Sequence, residues 1–173
     1  MTHSTVPVLM SIAAAAAAVA CDIRTRRIPN ALTFGCAFAA FVYLGLTSGL
    51  AGLATAGEGW IVGVALFFPF FALGGMGAGD VKLLAALGAW LGPSETVWLA
   101  IFAAMAGGVL GIVVALGRGY LGTAFRNLWV MLTHWRVSGI QPVPGLTLTD
   151  SKAPRLAYAV PIAAGLVITL WRH

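Results

Sequence analysis

The chain has 173 residues, of which 60% are hydrophobic and only 9% charged; ten Lys and Arg against five Asp and Glu leave a net charge of +5. A soluble domain carries about a quarter charged residues, so this composition, with a mean hydropathy of +0.95, excludes a water-facing globule, a disordered chain and a coiled coil. The basic excess is a topology signal and implies no nucleic-acid partner. The two cysteines, Cys21 and Cys36, both lie in apolar runs and form no zinc or disulfide framework.

Six apolar stretches follow in order: Val6–Cys21, Ala31–Leu46, Trp60–Leu73, Val81–Leu91, Val97–Leu116 and Leu156–Trp171. The expected fold is therefore all-α, a polytopic integral membrane protein of about six transmembrane helices in one domain, residues 1–173. In the first stretch, Ala18-Val19-Ala20-Cys21 resembles a signal cleavage site, but no Lys or Arg precedes Arg24, whereas Arg24, Arg26 and Arg27 follow at once. That polarity predicts an uncleaved helix with its N-terminus outside. Alternating from there places Arg24, Arg26, Arg27, Lys82, Arg118, Arg126, Arg136, Lys152 and Arg155 on the cytoplasmic side and Arg172 alone outside, a strong positive-inside bias. Loops over Gly49–Gly59 and Gly92–Thr96 are expected outside. The fourth stretch is the shortest and falls well below the roughly 20 residues that a 30 Å hydrocarbon core asks for, so its flanking polar residues sit below the membrane surface or the bilayer thins there. The connection 117–154 opens with Leu121, Phe125, Leu128, Trp129 and Leu132 at helical spacing, flanked by arginines. This predicts an amphipathic helix on the cytoplasmic interface, attracted to anionic lipid, followed by a Pro- and Gly-rich loop.

Ionisable groups at membrane depth are costly and point to function. Glu58, Glu95 and Asp150 read as loop or helix-start acids. Asp22 ends the first span and Asp80 opens the short fourth one, and the topology puts both at one boundary. Two carboxyls that close share a proton, a state suited to peptide hydrolysis without metal or covalent intermediate. The competing reading is that each Asp merely neutralises a nearby Arg or Lys. Ahead of Asp80, Gly74-Gly75-Met76-Gly77-Ala78-Gly79 is a glycine-dense turn that admits an extended substrate backbone or, alternatively, tight helix packing. Lys82 has two readings, stabilising the Asp80 carboxylate or binding a lipid phosphate. Pro29 is expected to start the second helix, with Asn30 satisfying its free amides. His3, His134 and His173 lack metal-ligand spacing, so no metal or other cofactor is expected. The six tryptophans, Trp60, Trp90, Trp98, Trp129, Trp135 and Trp171, read as interfacial belt residues.

Gly77-Ala78-Gly79-Asp80-Val81-Lys82 resembles the GxGDxK motif of the type IV prepilin peptidases, membrane aspartic proteases of the GxGD class, and Asp22 followed by Arg27-Ile28-Pro29-Asn30 resembles their second signature. Leu83–Gly92 and Tyr158–Gly165 are also similar to family segments. The resemblance implies a leader peptidase that cuts the basic leader from prepilin or pseudopilin precursors at the cytoplasmic face of the bacterial inner membrane. Asp22 and Asp80 would be the catalytic pair, with Gly77, Gly79, Lys82, Arg27, Pro29 and Asn30 in support. Larger members carry an insert with paired CxxC motifs and methylate the new N-terminus; this sequence has no such cysteine set, so methylation is not expected. The compact form is similar to the tight-adherence (Flp) pilus peptidases. Two rival functions use the same acids: a proton-coupled transporter, and a non-catalytic pilus or secretion assembly factor. Oligomeric state has no signature in the sequence.

Overall fold

The structure, a computed structural model, describes residues 5–143, 145–147 and 157–172. Asp150, Lys152 and Arg155, and the terminal His3 and His173, lie outside the described residues. Among those described, every regular element is a helix: α1 (Thr5–Thr25), α2 (Asn30–Ala72), α3 (Ala78–Leu91), α4 (Pro93–Gly117), α5 (Leu121–Ser138) and α6 (Ala159–Trp171). Helices α1, α2 and α4 are long and apolar enough to cross a bilayer, and α6 is a shorter apolar helix. The chain is an all-helical polytopic membrane protein.

The second and third apolar stretches, with the loop expected over Gly49–Gly59, form one helical run in α2, interrupted only at Gly49 (φ 60°, ψ −141°). No long loop is needed, because one glycine adopts a positive φ that a side chain would oppose. The chain doubles back there. Leu53 lies against Gly45 and Gly57 against Phe41, pairs that a straight helix would hold about 12 and 24 Å apart. Similarly, the loop expected over Gly92–Thr96 shrinks to Gly92, since α4 starts at Pro93, where a missing N–H costs nothing.

Helix α3 buries Val81 and all of residues 83–90. A helix apolar on every side has to be enclosed, and α1, α2, α4 and α6 all pack on it, α2 most extensively. Enclosure explains its brevity: 14 residues rise only about 21 Å, but protein surrounds this helix, so its polar ends need not reach both membrane surfaces. Small residues let the helices close in; a Cβ on Gly63 of α2 would lie 2.6 Å from the Ala85 Cα of α3. Trp90 departs from the expected belt. It is buried at 5% exposure, and its indole N–H donates to the Cys36 carbonyl at 3.0 Å, joining α3 to α2.

Helices α4 and α6 run antiparallel. Arg172 pairs with Glu95 at 3.1 Å and covers the Trp98 ring at 4.5 Å, while Tyr158 meets Gly107 further along. The expected amphipathic helix is α5; among the described residues it packs on α4 alone, leaving Phe125, Trp129 and Val137 exposed.

Candidate active site

Asp22 is placed by the stripe of small residues before it. Ser11, Ala14, Ala15, Ala18 and Asp22 are the buried positions in the body of α1; apart from the adjacent pair Ala14 and Ala15 they step by three or four and therefore share one helical face. That face packs on α3 and α6, so the last residue of the stripe is carried into the protein, and Asp22 is only 7% exposed. Helix α1 then ends. The Arg26 amide bonds the Asp22 carbonyl at 2.9 Å, Arg26 takes a positive φ of 53°, and the Thr25 hydroxyl donates to the Arg27 carbonyl at 3.1 Å. This turn sends residues 26–30 across the mouth of the site.

Asp80 arrives on the first turn of α3, ahead of the apolar run Val81–Leu91. Its Oδ2 accepts the Gly77 N–H at 3.2 Å, a carboxylate near a helix start that satisfies a free amide and meets the favourable end of the dipole. The two motif glycines serve close approach. Gly77 has an ordinary φ of −79°, yet a Cβ there would lie 3.1 Å from Asp80 Oδ2, and one on Gly79 would lie 3.3 Å from Ile28 Cβ. The positive φ in this turn belongs to Gly74, at 75°.

Asp22 and Asp80 line one cavity of about 500 Å³, walled otherwise by Arg26 to Asn30 on one side and Met76 to Gly79 on the other. Asp22 Oδ2 accepts the Ala159 N–H at the start of α6, at 3.2 Å. Each acid thus accepts one backbone N–H, Asp80 that of Gly77 and Asp22 that of Ala159, and Arg26 and Arg27 border the same cavity. Burial first, and then the neighbouring Asp22 charge, push the Asp80 carboxyl from its ordinary 3.8 up to about 7, against the pull of the Gly77 N–H. Two mutually repelling acids in one buried cavity are expensive as pure architecture. Chemically, one carboxylate that accepts a proton beside one that holds a proton near neutrality can activate water and polarise a carbonyl.

The other sequence candidates divide. Arg27, Pro29, Asn30, Gly77 and Gly79 all line the cavity. Pro29 is the residue before α2 rather than its first, with φ −61° and ψ 137°. Lys82 Nζ donates to Asn30 Oδ1 at 3.0 Å and sits 5.3 Å from the Phe34 ring centre. The Asn30 oxygen thus meets a lysine instead of capping α2, and Lys82 bolts α3 to the start of α2. The Ala159 amide was not legible beforehand, because a backbone donor leaves no mark in a sequence.

The sequence profile of the type IV leader peptidase family matches residues 9–112, a span that holds both aspartates. The prepilin leader peptidase/N-methyltransferases of Burkholderia pseudomallei strains 1026b and K96243 are each 38% identical to this chain over 114 residues, which is 62% of this chain and 36% of theirs. The match thus takes in little more than a third of those relatives. No solved structure matches the chain.

Proposed function

Because the chain belongs to the type IV leader peptidase family, we propose that it is an aspartic endopeptidase that removes the basic leader of prepilin-like precursors, with Asp22 and Asp80 as its catalytic pair. The observation that carries this reading is the meeting, in one buried cavity, of two acids 58 positions apart, close enough for the charge of one to raise the proton affinity of the other. The Asp22 carboxylate, steadied by the Ala159 amide, draws a proton from water while that water attacks the scissile carbonyl. Asp80, which holds its proton up to about pH 7, donates a hydrogen bond to the carbonyl oxygen and stabilises the developing negative charge. The glycines at 77 and 79 keep the Asp80 side of the cavity low, so that an extended backbone reaches the acids. Arg27, Pro29 and Asn30 form the opposite wall, and Lys82 holds Asn30 in place.

In this reading the N-terminus lies outside and six spans result, α2 supplying two of them by folding at Gly49, so that the site opens on the cytoplasmic face of the bacterial inner membrane. Residues 1–173 act as one membrane domain. The connection 117–154 lies on the cytoplasmic side, where the exposed apolar face of α5 rests on the membrane and its arginines meet anionic headgroups. Anionic lipid concentrates both partners, since basic enzyme and basic leader do not attract each other. Methyl transfer is not part of the proposal.

The test is co-expression of the full chain with a candidate prepilin, followed by intact-mass analysis of the pilin. Asp22→Asn and Asp80→Asn should each leave a folded membrane protein yet abolish the mass shift. Cleavage surviving in both variants refutes the aspartate mechanism, and flux linked to pH without any precursor shift assigns the acids to transport.

A further inference from the structure

Helix α6 begins at Ala159, and its first amides have no partner within the helix. One of them, the Ala159 N–H, is the donor to Asp22 Oδ2. What sets the height of that amide is the residue just before it. Tyr158 is half-buried against the main core cluster, its ring meets the edge of Phe67 from α2 at 6.0 Å between centres and 72° between planes, and its hydroxyl end rests on α4 at Gly107. A Cβ on Gly107 would come within 2.5–2.8 Å of the Tyr158 Oη, Cζ and Cε2 atoms, so the absence of a side chain there makes the seat. The phenol also lies within the field of Asp80, which places it beside the acid pair although it is not part of the cavity wall.

We infer that Tyr158 is a positioning residue for the reaction: wedged between Phe67 and Gly107, it holds the Ala159 amide on Asp22 and so orients that carboxylate in the cavity. The inference rests on the peptidase reading. Its physical basis is that the Ala159 N–H lies in the rigid peptide plane that starts at the Tyr158 α-carbon, so a backbone shift of an ångström when the ring loses its seat carries the donor off the carboxylate. Misplacement on that scale costs a reacting group up to about a hundredfold in rate, whereas substrate affinity, which depends on the cavity wall, stays as it was.

The experiment compares wild type, Tyr158→Phe, Tyr158→Ala, Tyr158→Leu and Gly107→Ala, each as the full chain in detergent, by cleavage kinetics on a prepilin and by hydrogen exchange of the peptide that contains Ala159. Tyr158→Ala and Gly107→Ala should each lose at least about tenfold in kcat with KM within twofold of wild type, and exchange at Ala159 should quicken. Tyr158→Phe keeps the wedge and should stay within twofold on every readout. Tyr158→Leu fills the core but cannot reach Gly107; if Tyr158→Ala does not fold, it and Gly107→Ala carry the decision. Unchanged kcat with slow exchange in these variants overturns the inference. A loss confined to KM also overturns it, since Tyr158 would then touch substrate, and so does a Tyr158→Phe as damaged as Tyr158→Ala, since the hydroxyl would then act chemically. Continued cleavage by Asp22→Asn and Asp80→Asn refutes the peptidase reading instead, and the exchange data still judge the wedge.

Discussion

Replacing Asp80 by Asn should flatten the pH dependence of stability, and the size of the effect follows from the site. Unfolded, the carboxyl of Asp80 titrates near 3.8; folded, burial and the Asp22 charge hold its proton up to about 7. Between those values the native state binds a proton that the unfolded chain has released. The stabilisation from this group is therefore complete below about pH 3.8 and is lost as pH rises through 7. At 1.36 kcal/mol for each tenfold change in proton affinity, the full loss is about 4 kcal/mol. The assay is reversible unfolding of the purified protein in mild detergent at pH 4, 5.5, 7 and 8, for wild type and Asp80→Asn. Asparagine retains an oxygen for the Gly77 N–H but cannot ionise, so the difference between the two curves should grow in its favour from pH 4 to pH 8 by about that amount. Asp22→Asn removes the second cause, and the wild-type slope should then shrink and move to lower pH. Parallel curves for wild type and Asp80→Asn across this range would show that Asp80 is no more shielded than a surface carboxyl, and the argument from shared burial would fail.

Cleavage itself should decline above about pH 7, as the proton on Asp80 leaves and the carbonyl loses its donor; a rate still rising at pH 9 contradicts that role. Gly63→Ala forces a Cβ to within 2.6 Å of the Ala85 Cα, backbone that cannot swing aside, and should destabilise the protein by about 1–3 kcal/mol in thermal unfolding. A double-mutant cycle on Asn30 and Lys82, joined by a 3.0 Å bond at an exposed position, should show coupling of about 0.5–1.5 kcal/mol; zero coupling would make that contact incidental. Breaking Arg172–Glu95 at the far end of α4 and α6 should cost about 1 kcal/mol or less and leave kcat unchanged.

Much of the architecture was written locally. A run of apolar residues has few places to go but into lipid or into other apolar residues, so the helices α1, α4 and α6 could be placed to within a few residues. The two acids stood out because so few charges occur elsewhere in the apolar part of the chain. Gly49 shows where local reading stops. A loop of eleven positions and a single glycine with positive φ both reverse a chain, and only the packing of Leu53 on Gly45 selects the second. Trp90 is similar: tryptophan at a span end suits the interface, but the Cys36 carbonyl and the helices around α3 draw it inward.

From the residues alone came the membrane setting, the all-helical class and the two carboxyls that share the cavity, since hydropathy and the cost of charge act on each segment independently of its neighbours. Three-dimensional packing decided that α3 is short because it is enclosed, that the motif glycines at 77 and 79 admit neighbouring atoms without needing unusual dihedrals, and that Lys82 faces Asn30. It also brought the Ala159 amide, 137 positions along the chain, onto Asp22. Contacts of that range depend on how four helices meet at once, and no local stretch of sequence carries that information.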